Sequence, residues 1–145
     1  MSESPTNIRA PLNPTVLVLA SFVLSPIGAG IALAVNDSRL DAKDRAPLTF
    51  YVFFFVALIG YLVVARLHVE RTVPFGSRTG WLLARVLLGW VAVMLAYFWS
   101  RPMQPRYARA RAAGISTGRH LSVCMPALLA SVALDVFVWQ LFMRK

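Results

Sequence analysis

Asp135 stands in the middle of the apolar run SVALDVFVW, residues 131–139, and Arg85 stands inside a second apolar run that begins at Trp81. A lone acid and a lone base in such surroundings suit three kinds of chemistry. They can neutralise each other, relay a proton, or hold a charged solute. A charge at the centre of a membrane-spanning helix costs about 2.5–3.5 kcal/mol. Such residues therefore face the bundle interior and find a partner. The two runs are consecutive and hence antiparallel. At about 1.5 Å per residue, Arg85 lies about 6 Å and Asp135 about 12 Å from the ends of their runs on the same side. An intramembrane pair between Arg85 and Asp135, stapling two helices, is the expected arrangement. Arg85 reaching back to the interface and a proton-relay or transport role stay open beside it.

A second unusual stretch is SPIGAG, residues 25–30. Pro26 removes one intrahelical hydrogen bond and kinks a helix, while Gly28 and Gly30 let a neighbouring helix approach closely. The expectation is a packing notch. The sharper alternative is a broken helix whose freed backbone groups line an ion or substrate site, for which this run offers only Ser21 and Ser25 as side-chain partners. Asn36, at its end, reads as a cap or an interfacial anchor. Pro126 marks a similar helix kink or packing position near the start of the last run.

Other chemistry finds little support. His68 and His120 fall in connections on opposite faces, and His68 with Glu70 lacks a third ligand, so neither metal nor cofactor is expected. Cys124 is the single cysteine, which excludes an intrachain disulfide and a CxxC pair. No P-loop, HExxH or dinucleotide fingerprint occurs. The chain reads as a non-enzyme.

These residues belong to elements that the composition identifies. Of the 145 residues, 58% are hydrophobic and 14% charged, and the mean hydropathy is +0.63. Soluble domains carry about 25% charged residues, so the departure points to lipid. The expected fold is an all-α integral membrane protein, four transmembrane helices in an antiparallel bundle. Residues 1–13 are expected to form a disordered polar tail, and 14–145 a single transmembrane domain with spans near 15–35, 48–65, 81–99 and 121–143. Pro14 suits a helix start. Ala32-Leu33-Ala34 resembles a signal-peptidase site, but the long first run followed by further spans argues for retention. Tyr51 and Tyr61 near the ends of the second run, and Trp81 and Trp99 at the ends of the third, read as interfacial aromatics.

The net charge is +9. Its densest part is the third connection, 100–120, which carries Arg101, Arg106, Arg109, Arg111 and Arg119 and no acid. With no nucleic-acid-binding motif present, this basic loop is expected to set orientation and to meet anionic head groups. RYARARAA within it suits a short interfacial helix anchored by Tyr107. Counting Lys and Arg, four spans weakly favour the first and third connections inside and both termini outside.

Two classes of function fit. The first is a non-enzymatic accessory, assembly or immunity-type module in a bacterial inner membrane, acting through helix–helix contacts with another membrane protein or with its own copies. The second is a small oligomeric transporter or channel using Asp135 and Arg85. The small multidrug transporters share the size and the four spans, but they carry their essential carboxylate in the first span, where this chain has none. The pattern from Pro26-x-Gly28-Ala29-Gly30 to Asn36-x-x-Arg39-Leu40 resembles that of small bacterial membrane proteins and implies no activity.

Overall fold

A computed structural model describes residues 10–69 and 78–143; for 68, 69, 78, 79, 139, 142 and 143 it describes the backbone alone. Five helices follow in order: α1 Pro14–Arg39, α2 Arg45–Val69, α3 Arg78–Ser100, α4 Met103–Ala112 and α5 Leu121–Met143. There is no strand among the described residues. By length and composition alone, α1, α2, α3 and α5 each suffice to cross a membrane. The fold is thus all-helical, with four apolar helices close to the expected positions, and α4 forms within the basic connection.

α1 begins as its sequence dictates. The Asn13 side chain accepts from the Thr15 amide at 3.0 Å, and Pro14 takes the first helical position, where no amide is needed. Eleven residues later the helix breaks. Pro26 has no amide to offer the Phe22 carbonyl, and a residue before proline is driven out of the helical region. Ser25 adopts φ 55° and ψ 177°, a conformation that favours glycine and costs about 1–3 kcal/mol. Helix resumes at Pro26 and runs to Arg39.

The break is a reversal. The Leu12 amide donates to Asn36 Oδ1 at 2.7 Å, and Arg39 Nη1 donates to the Ala10 carbonyl at 3.1 Å. Both ends of α1 also reach the start of α4: Gln104 Nε2 donates to Thr15 Oγ1 at 3.2 Å, while Asn36 Nδ2 points at Met103 Sδ, 3.9 Å away. Residues 14–24 and 26–39 are therefore two antiparallel half-helices. Each is about 16–21 Å long, and they meet at Ser25.

This hairpin is the hub. Leu17, Leu24, Ala29, Ala32 and Leu33 are 0–2% exposed and pack with Phe53, Ala92, Ala96, Met103 and Ala127 from the other four helices. Glycines let the backbones close on it. A Cβ at Gly28 would sit 2.9 Å from the Ala127 carbonyl oxygen of α5, and one at Gly89 2.7 Å from the Phe22 carbonyl oxygen. The Phe22 carbonyl is the one that Pro26 strands. The expected packing notch at Gly28 and Gly30 is present, with Gly28 against α5 and Gly30 against Phe53 of α2. α5 continues as helix through Pro126.

The hairpin enters and leaves at one end of the bundle. There α2 begins, α3 ends, α4 lies and α5 begins, as His120 Nε2 accepting from the Asn13 amide at 2.9 Å shows. The hairpin reaches only partway along its neighbours, so the far ends of α2, α3 and α5 enclose a region below its tip.

Candidate functional site

The polar cluster lies at that tip. Arg85 of α3 forms an ion pair with Asp135 of α5, donating from Nη1 to Oδ2. Tyr61 of α2 donates its hydroxyl to the other carboxylate oxygen. Arg85 Nη1 also donates to Ser131 Oγ at 3.2 Å. Nη2 donates to the Val23 carbonyl at 2.7 Å, one of the acceptors that the break at Ser25 releases at the end of the first half-helix. A helix C-terminus carries partial negative charge, which favours a cation there. Ser25 Oγ and Ser131 Oγ are 2.6 Å apart and share a hydrogen bond. One guanidinium, one carboxylate and three hydroxyls thus join all four long helices.

The two central charges are largely enclosed: the side chains of Arg85 and Asp135 are 21% and 9% exposed. Tyr61, Val64, Trp81, Ala84 and Leu88 line the gap beside them, which has no room for a water molecule. Chemically the arrangement suits mutual neutralisation. Both carboxylate oxygens accept strong hydrogen bonds, and the guanidinium spreads its donors over three acceptors.

Spacing along two antiparallel runs places Arg85 and Asp135 toward the same side, about 6 Å apart in depth, and the structure joins them. It also recruits three residues that spacing does not reveal. Tyr61, read as an interfacial aromatic, is 9% exposed and turned inward to the carboxylate. Ser131 lies one turn before Asp135 on the same face of α5, a periodicity that would have suggested a shared role. Ser25 was visible only as a weak polar residue before Pro26. Ser21 is not a member, since its hydroxyl donates to the Leu17 carbonyl of its own helix.

A second polar cluster closes the near end. Asp37, in the polar stretch that follows the first apolar run, lies in the last turn of α1 and is 1% exposed. It accepts from Thr49 Oγ1 at 2.5 Å and lies 3.9 Å from Arg45 Nε. Trp99 Nε1 donates to Thr49 Oγ1 at 2.7 Å, so the hydroxyl passes the contact on. Arg45 donates to the Trp99 carbonyl at 2.6 Å and lies over its ring, 5.1 Å from the centroid. Trp99 is therefore an inward-facing bridge between α2 and α3. Asn36, also fully buried, fastens residue 12 rather than meeting an interface.

Arg106, Arg109 and Arg111 lie on α4, with Arg101 just before it and Arg119 between it and α5. Arg101 sits over the Tyr97 and Phe98 rings, 5.1 Å from each. Arg109 and Arg111 bond carbonyls within their own segment. His68 and Glu70 fall where side chains are not described. Among the described residues no cluster of three metal-ligating side chains occurs. Cys124 is a half-buried thiol.

Fold and site together define an all-helical protein of membrane-spanning type, built around a doubled-back helix with a charge cluster at its tip. No match was found to this chain among protein-family models, characterised proteins or solved structures.

Proposed function

We propose that this chain is a multi-pass protein of a cell membrane, with α2, α3 and α5 crossing the bilayer and α1 entering as a re-entrant hairpin from one face. Half-helices of about 16–21 Å reach roughly the middle of a hydrocarbon core about 30 Å thick. Irregular backbone at that depth is tolerated where protein surrounds it, and Ser25 is 1% exposed. The face from which the hairpin enters carries Arg39, Lys43, Arg45 and the five arginines 101, 106, 109, 111 and 119. Among the described residues the opposite end carries Arg66 and Arg78. The positive-inside rule then puts the hairpin's entry and α4 in the cytoplasm.

Within that membrane the protein acts as a non-enzymatic module that binds another membrane protein or further copies of itself. The observation carrying this reading is the closed cluster of Arg85, Asp135, Tyr61, Ser131 and Ser25. Its hydrogen-bonding groups are spent on tying helices together, whereas α2, α3 and α5 turn broad apolar faces outward, including Phe55, Ile59, Leu87, Trp90, Leu129 and Phe137. Purification of the tagged chain in mild detergent tests it. A membrane partner or a homo-oligomer in constant ratio supports the module. A monomer that carries protons into proteoliposomes overturns it.

One observation favours transport as a second reading: a helix broken at mid-depth meets an intramembrane ion pair, an arrangement that transporters use at their sites. On this reading Asp135→Asn folds normally and abolishes a pH-driven flux in proteoliposomes.

A further inference from the structure

The near end of the bundle carries a crevice whose two halves differ in chemistry. It lies between the first turns of α1 and the junction of α3 with α4, has a volume of about 250 Å³, and is lined by Thr15, Val18, Tyr97, Ser100, Arg101 and Gln104. Val18 and the Tyr97 ring make it apolar toward the bundle middle. Hydroxyl, amide and guanidinium groups gather toward the bundle end. With α3 crossing a bilayer, its last turn lies at head-group depth, so the polar part meets phosphates and the apolar part meets acyl chains.

Arg101 is prepared for a phosphate. It forms no ion pair among the described residues. Its guanidinium instead lies over the Tyr97 and Phe98 rings, 5.1 Å from each centroid. These cation–π contacts hold the guanidinium beside the crevice, and its fork of donors is of the kind that grips phosphate in two parallel bonds. Thr15 Oγ1 accepts from Gln104 Nε2 at 3.2 Å, so its own hydroxyl hydrogen is left to donate. Arg106 and Arg109, on the helix that starts beside the crevice, keep the surrounding potential positive.

We infer that this crevice binds the phosphodiester of an anionic phospholipid, with Arg101 and Thr15 donating to the phosphate and an acyl chain lying along Val18 and Tyr97. The site holds one lipid in a defined place, which a diffuse basic surface does not.

Native mass spectrometry of the full chain in mild detergent reads the effect. The probes are phosphatidylglycerol and phosphatidylcholine with identical acyl chains. One added cation near an anionic head group contributes about 1 kcal/mol, or about fivefold in affinity, so wild type should retain the first lipid about fivefold better. Arg101→Gln should abolish the preference, and so should Gln104→Glu, which replaces the amide that donates to Thr15 by a negative charge at the mouth. Arg111→Gln removes the same charge from the far end of α4 and should keep the preference. Inorganic phosphate in tenfold excess over lipid should not displace phosphatidylglycerol. Equal loss in Arg111→Gln and Arg101→Gln, absence of any preference in wild type, or displacement by phosphate alone would overturn the assignment.

Discussion

The amide of Leu12 and the side chain of Asn36 are joined by a 2.7 Å hydrogen bond across 24 residues of chain. A straight helix would hold them about 36 Å apart. The bond therefore brings the start of α2 back to where α1 started, and on the proposed membrane reading the parity of crossings changes by one. Single cysteines in a Cys124→Ala background check this with a membrane-impermeant maleimide. Cysteines at Ala10, Asp41 and Gly114 should all label from one side, and a C-terminal tag should be reached from the other. Labelling of Ala10→Cys and Asp41→Cys from opposite sides would restore a straight first span.

Much of this architecture can be read in the sequence, and the part that cannot has a physical reason. Apolar length alone locates four helices, and counting residues along two antiparallel runs puts Arg85 and Asp135 toward the same side, within reach of each other. The basic connection also announces a short surface helix. What Pro26 announces is a bend of unstated size. The turn at Ser25 is met by Arg85 donating to the Val23 carbonyl and by Ser131 sharing a hydrogen bond with Ser25, and both lie more than sixty residues away. Asp37 goes unnoticed for a related reason. Nothing in the polar stretch 36–46 singles it out until Thr49 and Arg45 are seen to enclose it.

Ser25 should accept glycine and reject a branched residue. Glycine relieves a backbone strain of about 1–3 kcal/mol and loses one membrane hydrogen bond, worth on average about 0.6 kcal/mol. Ser25→Gly should therefore match or exceed the wild-type melting temperature in detergent. Ser25→Val keeps the strained dihedral, adds bulk at a buried point and loses the bond, so it should melt several degrees lower. A Val variant as stable as Gly would show that the positive φ is unimportant.

The glycine contacts predict a ranking that distance alone would reverse. A Cβ at Gly60 would come 2.5 Å from Leu88 Cδ2, the flexible end of a side chain, whereas a Cβ at Gly89 would come 2.7 Å from the backbone oxygen of Phe22. Leucine can rotate; the Phe22 carbonyl is fixed by the helix break. Gly89→Ala should lower folded yield clearly and Gly60→Ala only slightly, as measured by size-exclusion chromatography of the detergent-solubilised chain. Equal yields would mean that α1 and α3 can slide apart at no cost.

The charge cluster makes the last prediction, and its asymmetry comes from what each partner holds besides the other. Asp135 bonds Arg85 and Tyr61, whereas Arg85 bonds Asp135, Ser131 and the Val23 carbonyl. Asp135→Asn keeps an oxygen for one donor and leaves Arg85 with two of its acceptors. Arg85→Leu leaves a carboxylate with a single hydroxyl donor and strips the carbonyl at the helix break. Breaking a buried pair from one side costs about 3–5 kcal/mol in water-soluble proteins, and membrane hydrogen bonds are worth less, at most about 1.7 kcal/mol in one measured set. Removing both charges together avoids the stranded carboxylate but still leaves the Val23 carbonyl without its donor. Folded yield should therefore fall in the order wild type, Asp135→Asn, the double Leu variant, Arg85→Leu. Tyr61→Phe should fall close to Asp135→Asn, since it removes one donor from the same carboxylate. A double variant no better than Arg85→Leu would show that the pair itself contributes nothing. A double variant equal to wild type would show that the bond to Val23 is dispensable and that the hairpin turns without it.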